Sequence, residues 1–194
     1  CKDEMIIFSK ELDCFVGSES PIPIPTGHAG KTLDYEGELG LVVGKPGRNI
    51  SPKEAFRHIF GFTIVNDGSI RDWQKHSLFA GKNFEHSSSA GPCILVYQGN
   101  LKPESFSLST KLNGQLVQKS KIGNMIFKCS EIISYISSIL PLKPGDLIAT
   151  GSPDGSGITQ DPKRFLKDGD ELEIEISNIG ILRNKISAYN RSHF

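Results

Sequence analysis

Two residues, Asn113-Gly114, constrain what this chain can fold into more than any others. Both tolerate positive φ, and a two-residue loop of this composition closes an antiparallel hairpin whose turn matches the twist of its strands. The flanks agree. Phe106-Ser107-Leu108-Ser109-Thr110-Lys111-Leu112 alternates apolar with polar on one side, and Gln115–Gln118 returns on the other. Alternation buries one face and wets the other, so the hairpin needs a layer to lie against. Leu172, Ile174 and Ile176, interleaved with Glu171, Glu173, Glu175 and Ser177, repeat the pattern. Further strands are expected at Leu39–Val43, Phe62–Val65, Leu147–Ala149 and Ile181–Ile186.

Helical signals are fewer. Ser51-Pro52-Lys53-Glu54 reads as a capping box with proline at the first helical position, Ala55, Phe56, Ile59 and Phe60 as its buried stripe, and Gly61 as its stop. A second helix is expected over Ser130–Leu140, burying Ile132, Ile133, Ile136, Ile139 and Leu140. Residues 17–30, with Pro21, Pro23 and Pro25 alternating with Ile22 and Ile24, read as an extended, irregular approach to the first strong strand. About eight strands and two clear helices that do not alternate argue against a doubly wound sheet and for an α+β, predominantly β, fold.

The 194 residues suit a single domain with a substantial core, expected over residues 1–194. Lys+Arg and Asp+Glu both number 22, so no basic stripe points to nucleic acid and no cationic cluster to a membrane surface. No apolar run approaches the ~20 residues of a membrane-spanning helix. Cys1, Cys14, Cys93 and Cys129 lie far apart, which suits reduced thiols better than disulfides or a zinc site. The start, Cys1-Lys2-Asp3-Glu4-Met5, lacks the apolar stretch of a signal peptide and does not begin with Met. The expectation is a cytoplasmic protein, or a mitochondrial one in a eukaryote, whose N-terminal segment is incomplete.

The chemistry concentrates in Asp34-Tyr35-Glu36-Gly37-Glu38-Leu39, at the entrance to the Leu39–Val43 strand. Glu36 and Glu38 point the same way there, roughly 6–7 Å apart. Either they form a solvated strand end, or a hard divalent cation relieves their repulsion and desolvation. Asn66-Asp67-Gly68-Ser69-Ile70-Arg71-Asp72-Trp73-Gln74 follows another strand. Asp67 offers a third oxygen ligand. Arg71 and Gln74, spaced i, i+3, either hold a ligand's carboxylate or oxo group or belong to a capped turn. Gly81-Lys82 offers a cation for a developing enolate, and the bland alternative is a surface lysine. The loop Gly151–Gly157 fails the phosphate-loop pattern, although its glycines can bring backbone N–H groups close to a ligand. His28, His58, His76, His86 and His193 show no metal-ligand spacing.

In order and spacing these pieces resemble the C-terminal catalytic domain of the fumarylacetoacetate hydrolase family. The resemblance runs through Phe8-Ser9-Lys10, Leu33–Leu39, Gly61–Asp67, Arg71–Gln74, Gly81–Phe84, Gly91-Pro92, Leu112–Gly114, Pro144–Pro153, Leu166–Asp170 and Ile179-Gly180. It implies a mixed β-sheet roll with few short helices, a homodimer, and Mg²⁺, Mn²⁺ or Ca²⁺ held by Glu36, Glu38 and Asp67. Lys82, Arg71 and Gln74 fall at its catalytic or substrate-binding positions. Gly151 and Ser152 fall in the loop that meets the substrate's acid group, with Ser152 where the family usually has threonine. The implied substrates are small 2-oxo or 1,3-diketo acids reacting through an enolate. Hydrolysis of a C–C bond leads. The alternatives are isomerisation or decarboxylation of hydroxymuconate-type diacids or oxaloacetate, or a non-catalytic paralogue that binds metal and oxo acid. Hydrolytic and decarboxylating members carry an upstream His-x-x-Glu, and none precedes Phe8. Either that dyad belongs to a missing N-terminal segment or the protein lacks it.

Overall fold

Two five-stranded sheets and a two-stranded ribbon carry the described residues, 4–189, of the computed structural model. The Cys1 thiol and His193 lie outside them. In chain order the strands are β1 (Phe15–Val16), β2 (Ile22–Ile24), β3 (Leu33–Asp34), β4 (Gly37–Val43), β5 (Ile59–Asn66) and β6 (Ser69–Ile70). A short helix α1 (Leu78–Lys82) precedes β7 (Ser88–Val96), β8 (Ser107–Leu112) and β9 (Gln115–Lys121). Helix α2 (Cys129–Ile139), β10 (Leu147–Ala149), β11 (Glu171–Ile176) and β12 (Gly180–Ala188) complete the chain.

One sheet runs β1-β7-β5-β4-β10 and the other β2-β12-β11-β8-β9, while β3 and β6 form the ribbon. The sheets are mixed: β1–β7 and β2–β12 pair parallel, the rest antiparallel. The hairpin is as the sequence requires, with β8 and β9 joined through Asn113 (φ 53°) and Gly114 (φ 75°). Leu108 and Leu112 of β8, Ile174 and Ile176 of β11, and Leu182 and Ile186 of β12 face inward. They share one core with Leu39, Leu41, Phe62 and Ile64 of the other sheet. Phe62 meets Phe106 edge-on, ring centroids 5.9 Å apart, which adds directional contact to apolar burial.

Three expectations are corrected. Residues 55–58 form one 3-10 turn instead of a capped α-helix, because Ile59, Phe60 and Gly61 are drawn into β5. That strand pairs with β4 on one side and β7 on the other, and two ladders outweigh a local cap. Helix α2 is present, its start fixed by Glu131 accepting from Lys128 N (2.7 Å), but Ile139 and Leu140 stay exposed. Its last turn instead buries Ser137, whose Oγ accepts from Ile50 N (2.9 Å). Strands also exceed the expected eight: β7 carries no clean alternation, and β1, β3 and β6 are two residues long. The proline-rich Ile22–Ile24 is an edge strand, where Pro23 has no ladder bond to spoil. Among the described residues, no helix is long and apolar enough to cross a membrane, and Cys14, Cys93 and Cys129 are free thiols.

Candidate active site

The antiparallel pairing of β4 and β5 decides where the carboxylates meet. Gly37 lies opposite Asn66 and Glu38 opposite Val65. One step beyond, Asp67 N donates to Glu36 O (2.9 Å), so Glu36 and Asp67 leave the same end of the sheet. Glu38, two residues along, shares the face of Glu36. One carboxylate oxygen from each of the three lies within 4.8 Å of the others. Gly37 faces the other way, against the second sheet: a Cβ there would stand 2.5 Å from Thr110 Oγ1 and 3.0 Å from Ile174 Cγ2. The middle position of Glu-x-Glu is glycine because the two sheets approach too closely for a side chain.

Cations come from three other segments. Ser77 caps α1 by accepting from Ala80 N (3.0 Å), and the last residue of that helix is Lys82. Lys82 Nζ donates to Asp67 Oδ2 (2.5 Å) and to Glu36 Oε2. The β3–β6 ribbon delivers Arg71, whose Nε binds Asp34 Oδ2 and whose Nη2 binds Glu36 Oε1, both at 2.7 Å. Gln74 Oε1 lies 3.4 Å from Arg71 Nη1. Lys10 Nζ reaches the Lys82 carbonyl and pairs with Asp67 Oδ1 at 2.7 Å, off the ideal hydrogen-bonding angle. The segment around it, Phe8-Ser9-Lys10, is irregular and tied by side chains, with Asn83 Nδ2 donating to Ser9 O (3.0 Å).

The loop after β10 closes the site from another side. Gly151 N donates to Glu38 Oε2 (2.7 Å), and Ser152 follows, half-buried. Burial, and then the Asp67 and Glu36 charges, push the Glu38 carboxyl up to about 8, although Lys82 and the Gly151 N–H pull the other way. Lys82 moves oppositely. Burial disfavours its charge, but Asp67 and Glu36 more than offset this and hold it above the ordinary lysine range. For Arg71, too, burial is outweighed by Glu36 and Asp34.

The cluster suits a hard divalent ion. Its donors are all carboxylate oxygens, Glu38 and Asp67 are each only 3% exposed, and Glu38 lacks enough positive charge nearby to ionise normally. Of the residues read from the sequence, Glu36, Glu38, Asp67, Arg71 and Lys82 meet directly. Gln74 joins through Arg71, and Gly151 through its amide. Lys10 and Asp34 were missed as site residues. The only sequence signal for either is its place inside the quoted segments Phe8–Lys10 and Leu33–Leu39.

Comparison with known proteins supplies the context. The family model described as "Fumarylacetoacetate (FAA) hydrolase C-terminal" matches residues 1–187. "Oxaloacetate tautomerase FAHD2B, mitochondrial" of Bos taurus is 37% identical over 187 residues, covering 94% of this chain and 59% of its own. "Oxaloacetate tautomerase YisK" of Bacillus subtilis (strain 168) is 39% identical over 201 residues, covering 95% and 66% respectively. The chain thus spans less than two thirds of the length of these relatives. A solved fumarylacetoacetate hydrolase from psychrophilic Exiguobacterium antarcticum superposes with a TM-score of 0.90 at 35% identity, over 96% of this chain and 67% of that one.

Proposed function

Because the chain belongs to the fumarylacetoacetate hydrolase family, we propose that it is a divalent-cation-dependent tautomerase interconverting the keto and enol forms of a small 2-oxo diacid of the oxaloacetate type. The observation that carries this reading is the meeting of Glu36, Glu38 and Asp67 at one end of the β4–β5 pair, ringed by Lys82 and Arg71. Those three carboxylates would hold Mg²⁺, Mn²⁺ or Ca²⁺, which when bound supplies a Lewis acid for charge on the 2-oxo oxygen. With the Glu38 proton displaced, four carboxylates (counting Asp34) face Lys10, Lys82 and Arg71, so a bound divalent ion would leave a net positive cluster that attracts a dianion.

Asp67 and Glu36 hold Lys82 above the ordinary lysine range, so its Nζ serves as a hydrogen-bond donor and electrostatic partner for an enolate oxygen. Arg71, fixed at Nε and Nη2, offers its remaining N–H groups to a substrate carboxylate, with Gln74 beside it. Gly151 is tied to the same end by its N–H bond to Glu38, and the Ser152 hydroxyl, next along the loop, is a second candidate for the substrate's acid group. The names of the two relatives support this isomerase reading over the C–C hydrolysis that led from the sequence. Hydrolysis is kept as a second reading by the solved hydrolase, 35% identical. The family reading also carries a homodimer as the working form.

Loss of the ultraviolet absorbance of enol-oxaloacetate tests the proposal. Ketonisation is expected to accelerate with protein and Mg²⁺ together and to fall back to the buffer rate on chelation. No acceleration, with cleavage of an acylpyruvate instead, would transfer the case to the hydrolytic reading.

A further inference from the structure

The Asp34 carboxylate is fully buried, with four N–H donors converging on it. Oδ1 accepts from Tyr35 N (2.9 Å) and Gly157 N (2.7 Å); Oδ2 accepts from Ile158 N (3.0 Å) and Arg71 Nε (2.7 Å). It is not one of the three clustered oxygens donors, Glu36, Glu38 and Asp67. What it holds is more informative. The guanidinium it binds at Nε is bound by Glu36 at Nη2, and two bonds on one planar group fix its orientation as well as its place. The loop that begins with Gly151 N on Glu38 ends with Gly157 N and Ile158 N on Asp34. A neutral side chain would serve to clip backbone N–H groups. The negative charge is needed for Arg71.

We propose that Asp34 is a positioning residue, which locks the Arg71 guanidinium and the far end of the Gly151–Gly157 loop into one frame and thereby sets the affinity for the acid end of the substrate. The inference rests on the reading above, in which Arg71 grips that carboxylate. It assigns Asp34 no contact with substrate or metal. Asp34 acts through Arg71, so its removal should weaken anion binding while leaving the carboxylate cluster able to take a cation.

Calorimetric binding of oxalate, a planar dianion resembling a 2-oxo acid enolate, tests this at saturating Mg²⁺, with Mg²⁺ binding alone as the control. Asp34→Asn keeps the size of the side chain and removes its charge. Oxalate affinity is expected to fall about tenfold or more, the range of one charge-assisted hydrogen bond, with Mg²⁺ affinity changed less than about threefold. Arg71→Gln should show a comparable oxalate loss, and the double variant no further loss, because the two residues act as one unit. Oxalate affinity of wild-type strength in Asp34→Asn overturns the inference, as does an equal loss of Mg²⁺. Should Asp34→Asn fail to fold, the double variant leaves no buried guanidinium unpaired and carries the test. Affinity equal to Arg71→Gln supports the proposal, and a further tenfold loss overturns it. Absence of oxalate binding to the Mg²⁺-loaded wild type strikes instead at the functional reading, and removes this one with it.

Discussion

Glu38 carries the sharpest electrostatic tension in the molecule. Its carboxyl is pushed up to about 8 from an ordinary 4.5, by burial first and then by Asp67 and Glu36. The sign follows from linkage. The metal-free folded state binds more protons than the unfolded chain between those two values, so this group makes stability fall as pH rises from about 4.5 to about 8. A bound divalent ion displaces the proton. Below pH 8, Mg²⁺ binding should therefore release close to one proton, and its apparent affinity should rise by close to tenfold per pH unit, levelling above. Calorimetry in two buffers of different ionisation enthalpy measures that release; none at pH 7 would contradict the assignment. At this scale the sequence was half legible. Glu36 and Glu38 announce themselves by spacing, and Asp67 by following a strand. Lys10 and Asp34 do not, because a buried charge is recognised by its partners, and theirs lie in distant segments.

The elements matter through the face each strand turns to its neighbours. Gly37 puts two carboxylates on one face of β4 while the other face presses on Thr110 of β8 and Ile174 of β11. Gly37→Ala should thus cost about 1–3 kcal/mol by overpacking, seen as a lower urea midpoint at unchanged slope. A wild-type midpoint would mean that the sheets can part without penalty. The β8–β9 hairpin and β11 were readable because period-two alternation and an Asn-Gly turn are local signals. Strand β7 was not: its outer half is exposed, so its pattern does not alternate. The capping box at Ser51 was a true local preference that lost to the pairing of β5 on both edges.

Across the whole molecule, the site is a convergence of strand ends and turns at one end of a sheet. Segments around residues 10, 34–38, 67–74, 82 and 151–158 contribute, and only long-range pairing brings them together. The family could be read because those segments keep their order along the chain; the bonds between them could not. Everything proposed for catalysis depends on Glu36, Glu38 and Asp67 sharing one cation. Titration of metal-free protein with Mn²⁺, with the free ion followed by electron paramagnetic resonance, asks this directly. One site per chain is expected, weakened at least about tenfold in both Glu38→Gln and Asp67→Asn, the scale of one lost charged ligand. Wild-type affinity in either variant, or no site in the unaltered protein, would contradict the account.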